Sequence, residues 1–93
     1  MITKDFVKSI RNNLLKESDS IVADYVEEGN TEEANRWSEY RIQLRTFFDD
    51  KPEDYNYQRD LVWPRTPTDI DALHRKASQG DQEAIEIIQK DGL

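Results

Sequence analysis

The sequence predicts an all-α protein, a small helical hairpin with an extended Trp-Pro strap and a C-terminal helix–turn–helix. Three observations predict this fold class. Apolar residues recur every three or four positions, capping residues stand where helices should begin, and prolines interrupt the chain at 64 and 67. We expect two domains, a hairpin domain at residues 1–67 and a helical pair at residues 68–93.

The first predicted helix covers residues 4–17. Phe6, Ile10 and Leu14 form its apolar stripe, and Thr3 can cap its N-terminus. The other face is basic and carries Lys4, Lys8, Arg11 and Lys16.

The stretch "ESDS" at residues 17–20 is expected to break or re-cap this helix. Its Ser and Asp side chains can compete for backbone hydrogen bonds. Residues 21–29 are compatible with a second short helix or with an extended path, and we favour the helix.

The clearest helical pattern covers residues 31–48. Asn30 and Glu33 have the spacing of an N-terminal capping pair. The apolar stripe contains Ala34, Trp37, Tyr40, Leu44, Phe47 and Phe48. We expect this helix to pack antiparallel to the first.

A linker and a strap should follow the hairpin. Residues 49–60 are polar and contain proline, and they look too charged to lie in a core. In residues 61–67 two prolines restrict the backbone to an extended path. Leu61, Val62 and Trp63 are then expected to lie across the helical pair.

The last 26 residues predict two short helices. Thr68 and Asp71 have capping spacing at the start of the first, which should end at Gly80. Asp81 should cap the second helix, and Gly92 should end it.

Composition argues against several functions. The net charge of −7 disfavours binding to nucleic acid or anionic membranes, because both need clustered cations. The chain has no cysteine and one histidine, His74, which we interpret as a surface residue. The paired carboxylates fall at expected helix ends and in the linker, where acids are usually solvated. We therefore expect no catalytic residues, metal site, cofactor or enzymatic activity.

The sequence also bears on localisation. No apolar run approaches the roughly 20 residues of a membrane span. The first residues lack the uninterrupted apolar segment of a secretory signal. We expect synthesis in a reducing cytoplasm.

The stretch "WSEYRIQLR", residues 37–45, combines aromatic residues with arginines. It is compatible with a binding patch or with a helix that has one face in the core. Helical phase favours the core interpretation, which places Arg41 and Arg45 on the flank of the stripe. We expect these arginines to pair with acids such as Asp19 and so brace the hairpin. Contact with a partner is the alternative for both.

Three blocks of the sequence follow one another in a distinctive order. The first is Arg11, Leu14, Leu15, Ser18 and Asp19; the second is Trp37, Tyr40, Arg41, Leu44 and Arg45; the third is Trp63, Pro64 and Pro67. Together they cover about residues 10–67 and resemble the small tail assembly chaperone family of tailed bacteriophages. The chain departs from the family pattern at Ser20, where an aromatic residue is usual, and in its longer, more acidic linker 49–60.

The resemblance implies a non-enzymatic protein that helps to build a phage tail or tail fibre. It implies a tail or tail-fibre protein as the partner and the host cytoplasm during assembly as the location, while the net charge argues against nucleic acid and membrane as partners. The partner-binding residues we select are Trp37, Tyr40, Arg41, Arg45, Trp63 and Pro64. The sequence leaves open whether the chain forms a homo-oligomer.

Two alternatives stand beside this assignment. The first is a virion structural protein, a minor tail or fibre-adaptor subunit that is held by its C-terminal helices and stays in the tail. The second, more distant, is a small acidic regulator that acts on the host.

Overall fold

The computed structural model describes residues 2–93, and within that range it contains five helices and no strand. The all-α prediction is confirmed. The helices are α1 (Lys4–Glu27), α2 (Thr31–Arg45), α3 (Tyr57–Asp60), α4 (Pro67–Ser78) and α5 (Gln82–Asp91). Together they form a flat body of 38 × 37 × 19 Å.

Helices α1 and α2 form the predicted hairpin. The turn between them contains Gly29 at φ +75°, a backbone conformation that favours glycine. The backbone N–H of Glu33 donates to the side chain of Asn30 at 3.2 Å, which confirms the expected cap of α2.

The predicted break at residues 17–20 is wrong, because α1 runs without interruption for 24 residues. The Ser18 hydroxyl donates back to the carbonyl oxygens of Leu14, at 2.8 Å, and Leu15, at 3.1 Å. This local bond satisfies the hydroxyl inside a helix, so it replaces the competition that we expected. Ser18 is consequently buried against α2.

Helix α2 ends at Arg45, three residues earlier than predicted. Residues 46–50 form a turn, and the neighbouring rings of Phe47 and Phe48 differ in burial. Phe47 enters the core and Phe48 lies half-buried, with their rings edge to face at 5.1 Å between centroids.

The prediction that residues 49–60 are too charged for a core is also wrong. Tyr57 is buried with Val7 and Phe47, and Tyr55 packs against the same cluster. Asn56 caps the short helix α3 by accepting from the N–H groups of Gln58 and Arg59. Most acids of this segment are exposed, while Lys51 lies over the rings of Phe47 and Tyr55 and the two tyrosines pack in the core.

Two hydrophobic clusters hold the hairpin and the strap together. One is centred on Val7, Phe47 and Tyr57, and the other on Trp37, Tyr40 and Leu44. Trp63 packs against both clusters. The strap therefore lies across the helical pair, as the sequence predicted.

The C-terminal helices form the predicted pair, with one correction at its start. Helix α4 is capped by Thr66, whose hydroxyl accepts from the Asp69 N–H at 3.0 Å, rather than by Thr68. The predicted partner Asp71 is bound to Arg36 instead. The caps expected at Asp81 and Gly92 are confirmed.

Candidate partner-binding site

Two of the selected residues, Trp37 and Tyr40, lie in the core of the hairpin. Their exposed fractions are 8% and 4%, and their rings meet edge to face at 5.7 Å. The core interpretation of this stretch agrees with the structure. These two side chains support the hairpin from within the core and expose little surface to a partner.

Arg41 connects α2 to the middle of α1. Its Nη1 donates to the Leu15 carbonyl oxygen and, at 3.1 Å, to the Ser18 hydroxyl. Its Nη2 lies 3.8 Å from a carboxylate oxygen of Asp19. The Arg41 side chain is only 14% exposed and that of Asp19 is 77% exposed. Arg41 therefore braces the hairpin, and its main partners are Leu15 and Ser18 rather than the expected acid.

Arg45 behaves differently from Arg41. It is exposed and forms no ion pair with any of residues 2–93. The expectation that an acid holds Arg45 is wrong: Asp19 lies beside Arg41, one helical turn before Arg45, and no ion pair includes Arg45 within residues 2–93. Its guanidinium is available to a partner.

Trp63 lies half-buried in the strap and stacks on Phe47, with 4.8 Å between ring centroids and 29° between planes. Its neighbour Val62 points outward and is 73% exposed. Because successive side chains of an extended segment point in opposite directions, the strap buries Trp63 and presents Val62.

The strap, the turn after α2 and the C-terminus enclose a groove of about 770 Å³. Its apolar lining consists of Phe47, Val62, Trp63, Pro64, Ile70 and Leu93. The groove thus contains both selected strap residues, Trp63 and Pro64.

The charges at the groove leave an acidic rim. Lys51 pairs with Asp50 at 3.0 Å, and Arg65 pairs with Asp91 at 2.6 Å. Asp49 also lines the groove and forms no ion pair within the described chain. The unneutralised charge at this groove is therefore negative.

A second arginine of α2, Arg36, fixes the C-terminal pair. It bonds to Glu33 and to Asp71, at 2.7 Å each, and so joins α2 to α4. The Arg36 hydrogen bond lowers the pKa of Asp71, and the two carboxylates raise the pKa of Arg36. Glu33–Arg36 is the pair that the sequence spacing predicts.

The three sequence blocks of the tail-chaperone resemblance meet in space. Arg41 of the second block bonds to Leu15 and Ser18 of the first. Trp63 of the third block packs against the cluster of Trp37, Tyr40 and Leu44, and so does Leu14 of the first block. Residues that the chain separates by up to half its length therefore form one connected unit.

Sequence reasoning missed three contributors to this region. The prediction for the strap places Val62 across the helical pair, and the prediction for the linker keeps Tyr55 and Tyr57 out of the core. The signal for Val62 was the alternation of an extended segment beside Trp63. The signal for the tyrosines was the spacing Tyr-Asn-Tyr, which pairs two aromatic rings with a helix cap.

Comparison of the chain with protein-family models, with curated proteins and with solved structures found no match. The likeness to the tail assembly chaperone family therefore stays a prediction made from the three blocks.

The helices of residues 2–93 include none with the length and apolarity needed to cross a lipid bilayer.

Tyr40 makes the stability of the hairpin sensitive to alkaline pH. Burial raises the pKa of Tyr40 above its ordinary value of 10.0, and the carboxylates of Asp69 and Glu17 add to this shift. The folded state then holds the phenol proton more tightly than the unfolded state, so the contribution is lost as pH rises above 10. Chemical denaturation between pH 8 and about 11 should show a steeper loss of stability for the native chain than for Tyr40→Phe. Parallel curves would contradict this expectation.

Proposed function

We propose that this protein is a non-enzymatic assembly factor for a bacteriophage tail or tail fibre, which binds another tail component in the groove beside the Trp-Pro strap. The observation that carries the proposal is the meeting of the three blocks. Among the residues on which the resemblance rests, Arg41 joins α2 to α1, and Trp63 joins the strap to the hairpin.

The shape and chemistry of the groove suit a protein segment. Val62 is an exposed apolar side chain at its edge, and Trp63 and Pro64 form an apolar wall. Apolar surface of this kind gains free energy when a partner removes it from water, about 25 cal/mol per Å². The groove is large enough to take several side chains of a partner.

The charges specify the partner further. Asp49 is an unneutralised acid at the groove, and the chain as a whole carries −7. A segment with apolar residues and a flanking lysine or arginine would therefore complement it. Arg45, exposed on α2, can donate hydrogen bonds to a carboxylate of a partner.

The virion structural alternative draws on the C-terminal pair. The apolar residues of α4 and α5, among them Ile70, Leu73, Ile87 and Ile88, are half-buried, and only Pro67 and Ala84 are buried. A subunit held permanently in a tail could cover the remaining apolar surface of this pair.

Deletion of the gene from the phage or prophage that carries it tests the proposal. We expect particles with incomplete tails or missing fibres in electron micrographs, and rescue by the native gene. Val62→Glu should fold but fail to rescue, because it places a charge on the groove. Val26→Glu is the matched control, since Val26 is 64% exposed on α1, away from the groove. Normal tails after deletion would refute the proposal.

Mass spectrometry of purified particles separates the two roles. An assembly factor is expected in infected-cell lysate and absent from particles. A fixed copy number in purified particles would instead establish the virion structural alternative.

A further inference from the structure

A second surface, around the ring of Phe48, carries clustered cations. Lys4, Lys8 and Arg11 follow one another at helical spacing on α1 and converge on the half-buried ring of Phe48. Their charged groups lie 5.6, 5.9 and 5.1 Å from its centroid. We call these four residues the basic face.

The three cations of the basic face form no ion pair within the described chain, although acidic residues outnumber basic ones by 20 to 13. Arg36, Arg41, Lys51, Arg59 and Arg65 each form an ion pair. Within the described chain, no carboxylate lies within 4.0 Å of the basic face, and Arg11 bonds only to the amide oxygen of Asn12.

The cations are close enough to repel one another. Since each lies within 5.9 Å of the same centroid, any two are separated by at most about 12 Å, which is well within the Debye length of about 30 Å at 0.01 M salt. The π-face of Phe48 offsets part of this repulsion. A carboxylate-bearing ligand would relieve the rest, because each cation keeps donors free for it.

A hollow with a mixed polar and apolar lining adjoins the basic face at Lys4. It has a volume of about 340 Å³ and is lined by Ile2, Lys4, Pro52, Glu53, Tyr55 and Tyr57. Two tyrosine rings, a proline and an isoleucine give it an apolar wall that can hold one side chain of a ligand. The cations and the hollow together define a ligand with negative charge beside an apolar group.

We propose that the basic face and this hollow form a docking site for an acidic protein segment, which places its carboxylates on Lys4, Lys8 and Arg11 and one apolar side chain in the hollow. A protein segment is favoured over nucleic acid because the hollow can take an apolar side chain, which a phosphate backbone does not supply. The site does not depend on the role proposed for the groove beside the strap.

The test is fluorescence anisotropy with a labelled glutamate-rich peptide that contains one central leucine. The native protein should bind it saturably at low salt. The double variant Lys4→Gln with Lys8→Gln should bind roughly tenfold more weakly. The matched double variant Lys76→Gln with Lys90→Gln removes the same charge from exposed positions of α4 and α5 and should bind as the native protein does.

Further arms of the experiment separate the sources of binding. A peptide with serine in place of leucine should bind more weakly, because the hollow then stays empty. The proposal is overturned by equal loss in both double variants, by absence of saturable binding, or by tighter binding of a DNA duplex or of phosphatidylserine–phosphatidylcholine vesicles than of the peptide. Circular dichroism of each variant verifies that these exposed substitutions leave the helices intact.

Discussion

Replacing Arg41 with alanine should lower the free energy of unfolding by about 2 kcal/mol, since hydrogen bonds to a charged group typically contribute 1.5–3 kcal/mol. The substitution removes the bonds from the guanidinium to the Leu15 carbonyl and the Ser18 hydroxyl, and the weaker pairing with Asp19. For a domain of this size the melting temperature should fall by roughly 8–16 °C, which thermal denaturation followed by circular dichroism measures.

Arg45→Ala is the matched control for this measurement. It removes the same side chain four residues later on α2, where Arg45 is exposed and unpaired within residues 2–93. Its effect should stay within about 0.5 kcal/mol. An unchanged melting temperature for Arg41→Ala, together with lost partner binding, would show that Arg41 contacts a partner rather than bracing the hairpin.

Replacing Trp63 with alanine should destabilise the protein by about 3 kcal/mol, within the range for loss of a large aromatic side chain from a packed site. The variant loses the stacking on Phe47 and the contacts that join the two hydrophobic clusters. Denaturant unfolding, with Trp37 as the remaining fluorophore, measures the change.

Trp63→Phe is the control, because it keeps an aromatic ring against Phe47. Its loss of stability should be less than half of the loss in Trp63→Ala. If Trp63→Ala unfolds within 0.5 kcal/mol of the native chain, a limit of about the size of a surface substitution, the strap does not hold the clusters together. Trp63 would then be a residue for partner contact alone.

The sequence predicted the helices most reliably where caps and apolar spacing agree. Asn30 and Asp81 cap α2 and α5 as expected, and the Trp37–Tyr40–Leu44 stripe is buried. The prediction of a break at residues 17–20 is wrong because the Ser18 hydroxyl bonds to carbonyl groups of its own helix. A serine can make this bond inside a helix or cap a helix end, and the sequence pattern is the same in both cases. The packing of α2 against Ser18 decides between them.

The candidate site was predictable only in part. The two prolines predicted the extended path of the strap, and Trp63 was correctly predicted to pack against the helical pair. The groove depends on where the C-terminal pair lies, and that position is fixed by Arg36 with Asp71 and by Arg65 with Asp91. These contacts join residues 26 to 35 positions apart, so no local pattern specifies them.

The buried tyrosines show a related limit of composition. Residues 49–60 contain enough charge to suggest a solvated linker, yet Tyr55 and Tyr57 enter the cluster around Phe47. Charge averaged over a segment hides the alternation of inward and outward side chains. Which side chains of this segment are buried depends on its packing against Phe47 and Val7, which the composition of the segment does not show.

Photo-crosslinking from position 62 tests the central claim most directly. A photoreactive amino acid at Val62, and in a matched variant at Val26, is irradiated in cells that are assembling the phage. We predict that position 62 crosslinks to a phage tail or tail-fibre protein and that position 26 does not. Equal crosslinking from both positions, or no crosslink to a tail component from position 62, would contradict a tail-assembly factor that binds through the groove beside the strap.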